Sequence, residues 1–174
     1  MKKSLLIIAC LVASLSAFAQ GTVNFANAGG GVTAPVTNQD GSRLAGAGFQ
    51  AQLLVGATAD SLTPVATTGF LTGGGAGFFN GGVVTLSAHA PGSRPFFQVR
   101  AWDVSSGATF DAASVRGQST VFQLGVTTGL GGGGSPPAPP AALVGLTSFQ
   151  LVPEPSTIAL AILGAGALLL RRRK

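Results

Sequence analysis

The stretch 49-FQAQLLV-55 shows the pattern from which the fold of this chain is predicted. Apolar side chains occupy every second position from Phe49 to Val55, and glutamines lie at positions 50 and 52. This period of two predicts a β-strand with one buried face. Five further segments repeat the alternation, and its positions are Val23 and Phe25; Val84 and Leu86; Phe97, Val99 and Ala101; Thr120, Phe122 and Leu124; and Phe149 and Leu151.

Turn residues separate these segments. The 174 residues include 27 glycines and 10 prolines, and turn pairs occur at Asp40-Gly41, Pro91-Gly92 and Ser106-Gly107. No sustained apolar stripe of helical period is found between residues 20 and 151. We therefore predict an all-β domain at residues 20–151, an antiparallel β-sandwich of six or seven strands with an immunoglobulin-like or jelly-roll-like architecture.

A low-complexity stretch, GLGGGGSPPAPP, occupies residues 129–140. Its glycine half is typical of a flexible segment and its proline half of a stiff, extended one. Because residues 146–151 again have strand character, we predict a long loop before the last strand. The alternative is a linker, with the domain ending near Thr128.

Charge is distributed unevenly along the chain. The formal net charge of +5 comes from the two termini, because the central region carries Arg43, Arg94, Arg100 and Arg116 against Asp40, Asp60, Asp103 and Asp111. A neutral middle lacks the basic patch that nucleic-acid binding requires, so we expect no nucleic-acid partner. The only cysteine, Cys10, lies in the N-terminal apolar run, which leaves no thiol for a disulfide or a metal site in the predicted domain.

The N-terminus has the layout of a secretory signal peptide. Lys2 and Lys3 precede an apolar run at residues 5–12, and Ala17 and Ala19 fit the −3 and −1 positions of a cleavage site. We predict a signal helix at residues 1–19, taken by the Sec translocon and removed by signal peptidase. Lipidation at Cys10 is the alternative, but residues 5–9 are too short for the apolar core and the run continues past Cys10.

The C-terminus contains three consecutive elements. The peptide Val152-Pro153-Glu154-Pro155 precedes an apolar run at residues 157–170, and the cations Arg171, Arg172, Arg173 and Lys174 end the chain. As a helix the run measures about 21 Å, which makes it a marginal transmembrane span. By the positive-inside rule, the cations after it hold the C-terminus in the cytoplasm. Because each proline disfavours helix in the residue before it, we expect an extended peptide just outside the membrane. A plain anchor helix is the alternative.

These three elements resemble the PEP-CTERM sorting signal of Gram-negative bacteria, with Pro153-Glu154-Pro155 as the signature triplet. The same segment is also called the ice-binding protein C-terminal domain. The resemblance implies recognition by an exosortase, a membrane cysteine protease that processes the tail during export, and an association with extracellular polysaccharide. It covers residues 152–174 and implies nothing about the central domain.

The sequence contains few residues that could act in catalysis. His89 is the only histidine and precedes a Pro91-Gly92 turn, and each of the four central aspartates lies beside turn residues. The glycine runs lack the lysine of a phosphate-binding loop. We therefore expect no enzyme activity, no metal and no cofactor. Trp102 is a candidate for stacking on a sugar, with a place in the core as the alternative.

Three functions follow, in order of preference. The first is a non-enzymatic protein of the cell envelope or its polysaccharide matrix, placed at the cell surface or outside the cell after processing. The second is a carbohydrate-binding module that uses Trp102. The third is a secreted hydrolase, which the shortage of acid–base residues disfavours.

Overall fold

The computed structural model describes residues 20–125 and 128–154. The predicted signal helix and the predicted transmembrane helix lie outside these residues, and no helix within them is both long and apolar enough to span a membrane.

The strands are β1 (Gly21–Ala26), β2 (Ala28–Gly29), β3 (Val32–Thr33), β4 (Phe49–Gly56), β5 (Thr63–Gly69), β6 (Asn80–Leu86), β7 (Phe96–Asp103), β8 (Val115–Gln118), β9 (Phe122–Gln123), β10 (Ala141–Ala142) and β11 (Val152–Pro153). Short 3-10 turns lie at Gly73–Gly75 and Val104–Ser106. The predicted all-β class is confirmed.

The larger sheet has the strand order β11-β8-β7-β4-β5, and β9 also pairs with β7. All of its pairings are antiparallel, and β4 pairs with β7 along its whole length, from Phe49 opposite Asp103 to Gly56 opposite Phe96. These two central strands are the ones whose alternation is most regular in the sequence. The stretch that predicted the fold therefore forms the middle of the sheet.

The smaller sheet has the order β10-β1-β6. Strand β1 pairs antiparallel with β6 and parallel with β10, while β2 and β3 form a separate short hairpin. Next to β10, the backbone of Thr22 exchanges two hydrogen bonds with Gly131, at 3.0 and 2.9 Å, and Leu130 is buried. The low-complexity stretch at residues 129–140 is thus tied to the domain at its start.

One apolar core is shared by the two sheets. Its fully buried side chains include Ala51 and Leu53 of β4, Phe97 and Val99 of β7, and Phe25 of β1. Alternate residues of β4 and β7 point into this core, as the period of two predicted. The opposite face of the larger sheet therefore carries Gln52, Gln98, Arg100 and Trp102.

A buried asparagine joins segments that are distant in sequence. The amide nitrogen of Asn27 donates to the carbonyl oxygens of Ala34 at 2.8 Å and Gly77 at 3.0 Å, and its side-chain oxygen accepts from the Phe79 N–H at 2.7 Å. Asn27 is completely buried. Its side chain supplies hydrogen bonds to three backbone groups, one of which, the Gly77 carbonyl, also accepts from the Val36 N–H at 2.9 Å.

Candidate functional site

The sheet continues past the predicted domain boundary between residues 151 and 152. Val152 lies opposite Arg116 and Pro153 opposite Val115, so these two residues form β11 at the edge of the larger sheet. Just before them, Leu151 is fully buried and its N–H donates to the Thr37 carbonyl oxygen at 2.8 Å. Proline has no N–H, and an edge strand tolerates it where that N–H would face solvent and not the neighbouring strand.

Glu154 adds two kinds of contact to this pairing. Its N–H donates to the Ser114 carbonyl oxygen at 2.7 Å. Its carboxylate forms an ion pair with the Arg116 guanidinium, in which the Arg116 Nε donates to Oε1 at 2.9 Å. The Glu154 side chain is 53% exposed and that of Arg116 24% exposed, so this ion pair lies at the surface.

Phe110 holds the guanidinium of Arg116 in place. The Phe110 carbonyl oxygen accepts from Arg116 Nη1 at 2.8 Å, and the Arg116 Cζ lies 5.0 Å from the centre of the Phe110 ring. The same ring has a second cation over it, since the Arg100 Cζ lies 4.5 Å from its centre. Cation–π contacts of this kind orient a guanidinium without consuming its remaining donors.

These contacts belong to a row of side chains that crosses the outer face of the larger sheet. Gln52 accepts from the Arg100 Nε at 2.8 Å and donates to the Thr67 hydroxyl at 3.1 Å. Arg100 also lies 3.7 Å from the exposed Asp111 carboxylate. We call the set Thr67, Gln52, Arg100, Phe110, Arg116 and Glu154 the outer-face row. It runs from β5 at one edge to Glu154 at the other.

Trp102 lies beneath this row. It is only 4% exposed, and its ring meets Phe110 edge-on with 6.4 Å between ring centres. Its indole N–H has no hydrogen-bond partner among the described residues. The ring therefore offers no open face on which a sugar could stack.

A shallow groove lies on each side of β11. One is lined by Phe110, Asp111, Arg116, Gly117, Gln118, Val152, Pro153 and Glu154, and the other by Asn38, Gln39, Asp40, Val115, Leu151 and Pro153. In the second groove the Ser42 hydroxyl and N–H both donate to the Asp40 carboxylate, and these bonds lower the pKa of Asp40. Pro153 takes part in both grooves, so the peptide itself forms the ridge between them.

The other polar residues singled out in the sequence are dispersed. Asp103 accepts from the Ser105 N–H at 2.8 Å at the start of a 3-10 turn, and Asp60 lies in the turn that precedes β5. His89 lies in the bend after β6, where its carbonyl oxygen accepts from the Gly21 N–H at 2.8 Å. Within residues 20–125 and 128–154, no group of three His, Cys, Asp or Glu side chains is arranged to hold a metal ion.

Residues 151–174 match the family model of the PEP-CTERM protein-sorting motif. The resemblance drawn from the Pro-Glu-Pro triplet and its neighbours is thus confirmed. A PEP-CTERM motif marks a protein for export and membrane-associated sorting by an exosortase. No curated protein and no solved structure matches the chain.

The sorting motif is only partly within the described residues. Val152, Pro153 and Glu154 are described, whereas Pro155, the basic tail at 171–174 and the cleavage-site residues Ala17 and Ala19 are not. The contacts of Glu154 with Ser114 and Arg116 had no signal in the sequence, because Arg116 is one of four similar central arginines and lies 38 residues from its partner.

Proposed function

We propose that this chain is an exported, non-enzymatic protein of the cell envelope or the extracellular matrix, and that an exosortase processes its C-terminus. The match of residues 151–174 to the sorting motif carries this proposal. The domain with a larger antiparallel sheet and a smaller mixed sheet, which we interpret as a β-sandwich, is then the part of the protein that remains after processing. We further propose that extracellular polysaccharide is the environment in which this domain works.

The order of the segments gives a route for export. The signal peptide takes the chain to the Sec translocon, and signal peptidase cuts after Ala19. The apolar run at residues 157–170 stops transfer, and the basic tail holds the C-terminus in the cytoplasm because moving several cations across the bilayer is costly. The folded domain then waits on the outer side of the inner membrane, next to its own sorting motif.

The described residues favour a structural role over catalysis. Asp40, Asp60 and Asp111 lie in separate turns, and Asp103 ends β7 and caps a 3-10 turn. The backbone of His89 is hydrogen-bonded in a bend. Asp111 and Glu154 line one shallow groove, but the Glu154 carboxylate is ion-paired with Arg116, which disfavours the paired acid and base that a hydrolase needs. The burial of Trp102 likewise disfavours a carbohydrate-binding module that stacks a sugar on this ring.

The proposal is tested by replacing Glu154, the only glutamate of the chain, with alanine in the native host. We expect the wild type to lose its C-terminal tail and the variant to accumulate as a full-length membrane protein, as measured by immunoblotting of fractionated cells and intact-mass spectrometry. A host without an exosortase should leave both chains full length.

The Glu154 substitution also breaks the ion pair with Arg116, so a matched control is needed. Arg116→Ala breaks the same ion pair but leaves the sorting motif intact, and this variant should still be processed. If Glu154→Ala is processed like the wild type in the native host, the C-terminus is a plain anchor and the proposed function is wrong.

A further inference from the structure

Glu154, the central glutamate of the sorting motif, is bound by the protein's own domain. Its carboxylate is paired with Arg116 and its N–H is bonded to Ser114. The residues before it form an edge strand on β8, and Leu151 anchors that strand in the core. A processing enzyme that must grip this peptide therefore meets it as part of a sheet.

This placement conflicts with how proteases and other peptide-binding proteins take an extended peptide. They commonly line it with a strand of their own and read its side chains in pockets. In β11 one backbone edge already faces β8, and the Glu154 carboxylate faces Arg116. Among the described strands the outward edge of β11 stays free, but the edge paired with β8 and the Glu154 side chain must leave the domain before a second protein can bind them.

The short connection to the membrane makes the conflict sharper. Only Pro155 and Ser156 separate Glu154 from the apolar run that begins at Thr157. Three residue steps reach at most about 10 Å, so a motif docked on β8 keeps the folded domain close to the point where the run begins. Releasing residues 152–154 from β8 would lengthen the free peptide.

The contacts between residues 152–154 and the domain are weak enough to break and re-form while the domain stays folded. β11 has two residues, and the ion pair is at the surface, where such pairs contribute little and are screened by salt. Phe110 compensates in part, because its ring and its carbonyl oxygen keep the guanidinium aimed at Glu154. Local opening of an edge of this kind needs far less free energy than unfolding of the domain.

We propose that Arg116, held by Phe110, is a latch that docks the sorting motif on β8, and that processing requires the latch to open. Arg116 is a positioning residue: it limits access to Glu154 and takes no part in bond cleavage. This inference rests on the proposed function, since it concerns the regulation of the same motif. It makes the rate of processing depend on a residue outside the motif.

The test is a pulse-chase measurement of tail removal from the full chain in the native host. Arg116→Ala should be processed about two- to fivefold faster than the wild type, the range expected for the loss of one exposed ion pair. Arg116→Lys keeps the charge but loses the guanidinium, whose Nε and Nη2 both donate to the Glu154 carboxylate, so it should give an intermediate rate. Arg43→Ala is the matched control, because Arg43 also stacks on a phenylalanine ring, Phe78, but does not contact Glu154.

The outcomes separate the latch from the function on which it rests. Faster processing of Arg116→Ala with an unchanged rate for Arg43→Ala supports the latch. Equal or slower processing of Arg116→Ala overturns it, and slower processing would mean that Arg116 helps recognition. If the exported wild type and both variants keep their tails in a host that has an exosortase, the proposed function is wrong and the latch falls with it.

Discussion

Two polar side chains, Asn27 and Glu154, each tie together segments of this domain that are distant in sequence, but they do so at opposite depths. Asn27 is completely buried and makes three hydrogen bonds to backbone groups. Glu154 is half-exposed and is held by one surface arginine and one backbone hydrogen bond. The first tie is permanent while the protein is folded, whereas the second can open on its own.

The difference follows from what water does when each tie breaks. Breaking the Asn27 contacts removes the side-chain partner of the Ala34 carbonyl oxygen and of the Phe79 N–H, and each desolvated group without a partner costs about 1 to 3 kcal/mol. When the Glu154 contacts break, water hydrates the carboxylate and the guanidinium at once, so the net cost is about 0 to 1 kcal/mol. A segment that another protein must bind is therefore better held by surface contacts like those of Glu154 than by buried contacts like those of Asn27.

The largest loss of stability is expected when the buried contacts of Asn27 are removed. Asn27→Ala should lower the free energy of unfolding by about 2 to 4 kcal/mol, because it removes the partner of the buried Ala34 carbonyl and Phe79 N–H, whereas the Gly77 carbonyl keeps the Val36 N–H. Urea denaturation measures this loss. Asn38→Ala is the control: its amide nitrogen bonds only the exposed Ser42 hydroxyl, so a change below about 0.5 kcal/mol is expected. A loss below 1 kcal/mol for Asn27→Ala would contradict the assignment of a permanent tie.

A smaller loss of stability is expected where residues 150–154 pack against β8. A Cβ added at Gly117 would overlap the Gln150 carbonyl and press on Leu151, the residue that anchors β11. Gly117→Ala should cost about 1 to 3 kcal/mol of unfolding free energy through overpacking and should displace the sorting motif from the sheet edge. Gly48→Ala is the matched control, since a Cβ there meets no atom within 4 Å. Equal melting temperatures for the two variants would show that residues 150–151 are not packed on β8.

The comparison also explains which features could be predicted from the sequence. Strands β4 and β7 were predicted because each repeats an alternation over neighbouring positions, which is a local signal. Strand β5 was missed, since it is an edge strand whose residues are mostly exposed on both faces and which contains Pro64. The strand expected around Gln150 is a single bridge to Thr37, and the pairing with β8 follows at Val152.

The two ties had no comparable signal. The partners of Asn27 lie 7, 50 and 52 residues away, and Arg116 lies 38 residues from Glu154. Contacts at such separations are set by the packing of whole strands, and no local pattern in the sequence indicates them. The sorting motif was recognisable for the opposite reason: its triplet, apolar run and basic tail are contiguous.

The smallest perturbation gives the most direct test, which is hydrogen exchange at two backbone amides of the full chain. The Phe79 N–H is bonded to Asn27 and the Glu154 N–H to Ser114, so each amide reports on one tie. We predict that Phe79 exchanges only through global unfolding, and that Glu154 exchanges at least about a hundredfold faster through local opening. Arg116→Ala should speed exchange at Glu154 about two- to fivefold and leave Phe79 unchanged. Equal protection of the two amides, or no change at Glu154 in Arg116→Ala, would contradict the account of a releasable sorting motif.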